Sequence, residues 1–170
     1  MNYAQIRQFD IANGPGIRTT LFVSGCTHNC KGCFNKAYQD FNYGTPWNEE
    51  AERIFMGMVN DPKVSGVTVL GGEPMDQSGD AFGYNLVNLL RKVKQETKKN
   101  IWLYSGYTFE QILDDPFKLT LLQQCDVLVD GEFIEELKDV RLRFKGSSNQ
   151  RIINVQKSLE LGHVVLMESY

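Results

Sequence analysis

The sequence has no apolar run approaching the ~20 residues that a membrane-spanning helix needs. The stretch Met1-Asn2-Tyr3-Ala4-Gln5-Ile6-Arg7 lacks the apolar core of a signal peptide, so a cytoplasmic protein with no membrane contact is expected. Charge of one sign is also scarce. A net value of -3 leaves no broad basic field, which disfavours a nucleic-acid substrate. Histidines number only two, and no His or Ser arrangement suggests general acid–base or nucleophilic catalysis. Cysteines number four, three of them within eight residues. In a reducing compartment that crowding points to metal or redox chemistry rather than a disulfide framework. With 170 residues and no internal repeat, one domain spanning 1–170 around one core is expected.

The crowded stretch is Cys26-Thr27-His28-Asn29-Cys30-Lys31-Gly32-Cys33, directly after the apolar run Thr20-Leu21-Phe22-Val23. A closed tetrahedral zinc site takes four ligands, and the C-x3-C-x2-C spacing supplies three. His28, between two of them, would have to fold back inside a three-residue loop to be the fourth. Cys125 lies in Cys125-Asp126-Val127-Leu128-Val129, which reads as a buried strand where a cysteine is a small hydrophobe. A zinc knuckle completed by either residue stays open as an alternative. So does a redox pair of Cys30 and Cys33, although it leaves Cys26 unexplained. Three thiolates can instead hold three irons of a cubane 4Fe-4S cluster, leaving the fourth iron to a ligand from outside the protein.

Taken in order, Asn13-Gly14-Pro15-Gly16 predicts a turn feeding a first strand over 17–23. Thr45-Pro46 predicts a helix start, with Pro46 in the first turn and Ile54, Phe55, Met58 and Val59 facing inward. A second strand, 67–70, stops at Gly71-Gly72-Glu73-Pro74 and is followed by a helix with Phe82, Leu86, Leu89, Leu90 and Val93 on its apolar stripe. The third strand, 101–104, closes at Ser105-Gly106, and Thr108 with Gln111 fits a capping box. A fourth strand, 127–129, ends at Asp130-Gly131. Weaker strands are expected at 152–155 and 164–167, separated by a helix over 156–161 that ends at Gly162. This alternation predicts an α/β fold of about five or six mainly parallel strands. A complete eight-unit barrel takes ~250 residues, so an incomplete β/α barrel is expected, with its site beyond the C-terminal strand ends. Residues 138–151 show little pattern and carry five basic residues, a solvated face or an acidic-partner contact.

The cysteine loop after a first strand, the aromatic residue beside its last cysteine and Gly-Gly-Glu-Pro after the second strand together resemble the radical S-adenosylmethionine (radical SAM) family. The segments Asn13-Gly14-Pro15-Gly16-Ile17-Arg18-Thr19-Thr20-Leu21-Phe22, Cys33-Phe34-Asn35 and Gly146-Ser147-Ser148-Asn149-Gln150-Arg151 narrow the resemblance to members that activate glycyl-radical enzymes. It runs from about residue 8 to 155. The resemblance implies a radical SAM type barrel and a 4Fe-4S cluster on Cys26, Cys30 and Cys33, with S-adenosylmethionine chelating the open iron. An external electron donor such as a flavodoxin would reduce the cluster, and cleavage of the C5′–S bond would give methionine and a 5′-deoxyadenosyl radical. The implied partner is the anaerobic ribonucleoside-triphosphate reductase, whose glycine loses a hydrogen. Cofactor contacts are expected from Gly71, Gly72 and Glu73 toward the methionyl ammonium, from Gly32, Cys33 and Phe34 toward the adenine, and from Ser105 and Asp130 toward ribose or methionine. Asn149 and Gln150 would receive the glycine-bearing backbone. Phe34 as a core aromatic, and Ser105 and Asp130 as turn residues, are the plain structural alternatives. Another glycyl-radical enzyme as partner, or a non-catalytic zinc or iron-sulfur scaffold, are the alternative functions.

Overall fold

The computed structural model describes residues 1–77, 85–168 and 170. Seven strands form one sheet: β1 (Asn2–Asp10), β2 (Arg18–Ser24), β3 (Thr45–Pro46), β4 (Gly66–Gly71), β5 (Asn100–Tyr104), β6 (Val127–Asp130) and β7 (Arg151–Asn154). Among the described residues five α-helices accompany them: α1 (Glu49–Val59), α2 (Asn85–Glu96), α3 (Phe109–Leu113), α4 (Pro116–Leu122) and α5 (Val155–Leu161). The strand order is β3-β1-β2-β4-β5-β6-β7. The four central strands β2, β4, β5 and β6 pair in parallel, as helix-bearing crossovers require. The margins are antiparallel: β1 against β2 and β3, and β7 against β6. The sheet is unclosed, with β3 and β7 at its edges. The expected count of five or six is thus corrected to seven, with the parallel set confined to the centre.

Three differences from the sequence reading have physical causes. β1 was not anticipated, because Gln5, Arg7 and Gln8 break any β-branched run. It forms by pairing along the buried β2, with Ile6 opposite Leu21. Thr45-Pro46 pairs with β1 instead of opening a helix, and an edge strand tolerates the missing proline N–H. The helix starts three residues later, where the Asn48 side chain accepts from Ala51 N at 2.9 Å. Its buried face is therefore Ala51, Phe55, Met56 and Val59, while Ile54 is exposed. Finally, residues 131–150 hold only a single 3-10 turn, so no crossover helix carries the chain to a parallel position and it returns as antiparallel β7. The expected strand at 164–167 is reduced to a bridge between Leu166 and Ile153.

The remaining elements follow the sequence. Thr108 and Gln111 form the capping box, and Gly162 caps α5 in the left-handed region at φ 71°. In α2 the buried stripe is Leu86, Val87, Leu89, Leu90 and Val93; Phe82 lies outside the described residues. Alternation along the strands sorts the sheet's two faces. Leu21, Val23, Val67, Val69, Ile101, Leu103 and Leu128 join the main core under the helices. Trp102, Val127, Val129 and Ile152 gather on the opposite face, with Tyr104 and Phe144 against them. Cys125 belongs to the main core and is fully buried.

At the foot of the central strands Arg18 is fully buried. Its Nε donates to Thr68 Oγ1 at 2.6 Å and its Nη2 to Val67 O at 2.6 Å and Asn100 Oδ1 at 2.9 Å, while Nη1 reaches Pro15 O at 3.2 Å. Burial pulls its pKa down to about 10, so it remains charged at neutral pH and fastens the 11–17 loop to β4 and β5. Arg18→Met would strand several buried acceptors, each worth about 1–3 kcal/mol when unsatisfied, and should lower stability by roughly 3 kcal/mol or more. A urea unfolding midpoint close to that of the parent would contradict this role.

Candidate metal centre

The cysteine loop leaves the C-terminal end of β2 and folds on two left-handed residues, Asn29 at φ 53° and Gly32 at φ 69°. Cys33 N donates to Cys30 O at 3.3 Å, closing the second turn. All three thiols are half-buried and line one cavity of about 510 Å³. Among the described residues no three His, Cys, Asp or Glu side chains come close enough to hold one metal ion. The three thiols line one cavity, and soft donors around a shared space suit a cluster in which each thiolate takes a different iron. Cys125 is not on this wall. His28 turns its Nε2 to Glu73 Oε2 at 3.2 Å and packs its ring, tilted by 60°, against Tyr107, centroids 4.4 Å apart. Cys125 thus lies in the core away from the thiols, and His28 is directed to Glu73.

Another part of the cavity wall is the Gly71-Gly72-Glu73 segment at the end of β4. Gly71 has φ 117°, and a Cβ there would meet Val23 O at 2.5 Å; one on Gly72 would meet Gly25 O at 2.4 Å. Only glycine lets this backbone pass so close to the end of β2. Gly72 N donates to Val23 O at 2.8 Å and Glu73 N to Gly25 O at 2.7 Å. Both glycines line the cavity.

Glu73 is buried, and its oxygens are already engaged. Oε1 accepts from Met75 N at 2.9 Å and Ser105 Oγ at 2.8 Å; Oε2 accepts from Gly106 N at 2.7 Å and faces His28. The carboxylate raises the pKa of His28 against the opposing effect of burial. The Glu73 side chain thus joins the rims of β4 and β5 to the cysteine loop, and Ser105 is spent on holding it. A second tie runs from Asp76, which accepts from Thr27 N at 2.8 Å and from Tyr107 Oη at 2.8 Å. Sequence reasoning missed both ties, because His28, Asp76 and Tyr107 carry no motif.

The other expected contacts divide. Phe34 is 63% exposed and lines the cavity, 4.9 Å from the Phe133 ring, which rules out a core aromatic. Gly32 is a turn position beside the cavity wall, with Glu135 where its Cβ would be. Asp130 is not brought to the site: it accepts from Arg151 Nε at 3.0 Å and from Phe109 N at 2.7 Å, and it does not line the cavity. In this structure Asp130 forms an ion pair that holds β7 and the start of α3. Gln150 does line the cavity, but its amide ties Gly146 and Ser147 to Gly131. Asn149 donates to Glu132 O. Arg141 pairs with Asp139 and Arg151 with Glu110 and Asp130, so much of the basic segment is neutralised locally.

A family model described as a 4Fe-4S single cluster domain matches residues 12–153. Relatives at full length carry the name anaerobic ribonucleoside-triphosphate reductase-activating protein. That of Vibrio cholerae is 40% identical over 155 residues, covering 89% of this chain and 97% of the relative. That of Escherichia coli K12 is 37% identical over 153 residues, covering 88% and 96%. That of bacteriophage T4 is 34% identical over 152 residues, covering 89% and 93%.

Two expectations follow. Replacing Cys26, Cys30 or Cys33 singly with Ala should abolish stable cluster assembly after anaerobic reconstitution, whereas Cys125→Ala should retain it; iron and sulfide contents decide. Burial pushes the metal-free thiols up, Cys26 to about 11 and Cys30 to about 12, the latter helped by Glu132. The unfolded chain would release these protons near the ordinary value of 9.0 while the folded chain keeps them. The metal-free fold should therefore lose stability as pH rises above that value. In Cys30→Ser the fall of Tm over this range should be shallower than in the parent; equal slopes would contradict the assignment.

Proposed function

The chain belongs to the anaerobic ribonucleoside-triphosphate reductase-activating proteins and contains the 4Fe-4S single cluster domain, and we propose that it generates the glycyl radical of that reductase using S-adenosylmethionine. The observation that carries this reading is the presence, on one cavity, of three half-buried thiols and the side-chain-free backbone of Gly71 and Gly72. When bound, the reduced cluster and S-adenosylmethionine supply a 5′-deoxyadenosyl radical, which takes a hydrogen atom from a glycine α-carbon.

The residues' own tasks are binding, orientation and exclusion of water. Cys26, Cys30 and Cys33 would hold three irons and leave the fourth for the cofactor's amino and carboxylate groups. Ligation requires the thiolate forms, so loading releases the protons that burial otherwise retains. Gly71 and Gly72 let the cofactor's methionyl end approach main-chain carbonyls, which accept from an ammonium. Glu73 holds that wall in place by its ties to Ser105, Gly106 and His28. Phe34 and Phe133 offer aromatic faces to the adenine. A glycine on an extended loop can reach the reacting carbon because it brings no side chain to clash, and close contact is what hydrogen transfer needs.

The test mixes anaerobic, reduced, cluster-loaded protein with S-adenosylmethionine and the reductase, and records electron paramagnetic resonance. A glycyl doublet on the reductase, with 5′-deoxyadenosine formed alongside, is expected. Cofactor cleavage with no protein radical on this or any other glycyl-radical enzyme would remove the activase role.

A further inference from the structure

Tyr104 closes β5, and its side chain stands on the face opposite the helices. Ile101 and Leu103 point into the main core, so alternation sends Trp102 and Tyr104 to the other side. There the Tyr104 ring packs on the apolar cluster of Trp102, Val127, Val129 and Ile152, and the residue lines the same cavity as the three cysteines. Its hydroxyl is buried and meets no hydrogen-bond partner among the described residues. A hydroxyl that gives up water and receives nothing in return destabilises the fold, and native proteins keep few such groups. Thr20 and Ser24 also carry buried hydroxyls without partners, but neither residue lines the cavity.

Two features fix this hydroxyl in a useful state. Burial raises the pKa of the phenol, so it keeps its proton at neutral pH and is a donor. The two residues that follow, Ser105 and Gly106, are both tied to Glu73, so the end of β5 is held in place. The donor is therefore held in place, with no partner among the described residues until something enters the cavity.

The entrant must bring an acceptor oxygen to the part of the wall where the Tyr104 ring rests on apolar side chains. The cofactor's polar methionyl end is served by the rim at Gly71 and Gly72, while Tyr104 lies on the strand itself and faces a cavity bordered by Leu142 and Phe144. An inserted glycine segment has the matching need, since its peptide carbonyls lose water on entry and it has no side chain to fill the space. Resting on the reading that a glycine of the reductase enters here, we propose that Tyr104 Oη donates a hydrogen bond to a main-chain carbonyl of that segment and orients its α-carbon.

The test is Tyr104→Phe in the full, cluster-loaded chain, probed with S-adenosylmethionine and with a synthetic peptide spanning the reductase's activated glycine. The Tm of the metal-free variant should equal or exceed that of the parent, because the deleted hydroxyl has no partner in the free fold. The Kd for the peptide, measured with cofactor present, should rise about three- to tenfold, the value of one neutral hydrogen bond, with the Kd for the cofactor unchanged. A Tm several degrees lower would show that the hydroxyl serves the fold and would overturn the proposal. So would a weakened cofactor Kd with the peptide Kd intact, or no change in either. Failure of the parent itself to bind the peptide, with cofactor bound, would instead overturn the underlying reading that a glycine segment enters, and the contact with it.

Discussion

The buried carboxylate of Glu73 is the junction on which the site's geometry depends. It sits just past β4, receives two donors from the end of β5, one from its own turn, and faces His28 of the cysteine loop. A carboxylate so deeply buried is tolerable only when its lone pairs are satisfied, so the three segments are held in one arrangement or the charge is stranded. Ser105 and Gly106 cannot move outward without abandoning it. A Cβ on Gly106 would come within 2.7 Å of the His28 ring, so that glycine makes room for the same junction.

Around this point the strand ends converge more tightly than parallel pairing alone requires. Gln77 donates to Ser24 O at 3.0 Å, Gly72 N to Val23 O, and Gly25 N to Tyr38 O at 2.8 Å. The result is a rim in which the cysteine loop and the glycine wall are positioned by main-chain hydrogen bonds, the Gln77 amide and the carboxylates of Glu73 and Asp76. The antiparallel margins complete the arrangement. β1 and β3 flank β2 on one side, and the 131–150 segment covers the other, held by the Gln150 amide and the Asp130 to Arg151 ion pair. The sheet does not close, which is what the proposed entry of a glycine-bearing segment requires.

Much of this was legible in the sequence, and the failures have specific causes. The cysteine spacing, the four central strands, the capping box at Thr108 and the left-handed Gly162 all rest on local rules that the fold does not override. β1 was illegible because its polar residues gain their stability by pairing with β2, not from a pattern of their own. Asp130 looked like a site residue because it follows a strand end, yet Arg151, 21 residues away, claims it. Glu73 was singled out for contact with a ligand. What one sequence cannot display is that Ser105 and Gly106 already donate to its oxygens, with His28 3.2 Å away, since those residues are joined only by the fold. Tyr104 carried no motif, and its unpaired hydroxyl exists only as a property of the packed face.

The three-thiol site with one iron left for an outside ligand is tested most directly by electron–nuclear double resonance on the reduced, cluster-loaded protein, using S-adenosylmethionine with an isotopically labelled amino nitrogen. A coupling between the labelled nitrogen and the cluster spin is the expected result, since three cysteines leave a position for that amino group. A fully loaded cluster with bound cofactor and no such coupling would contradict it.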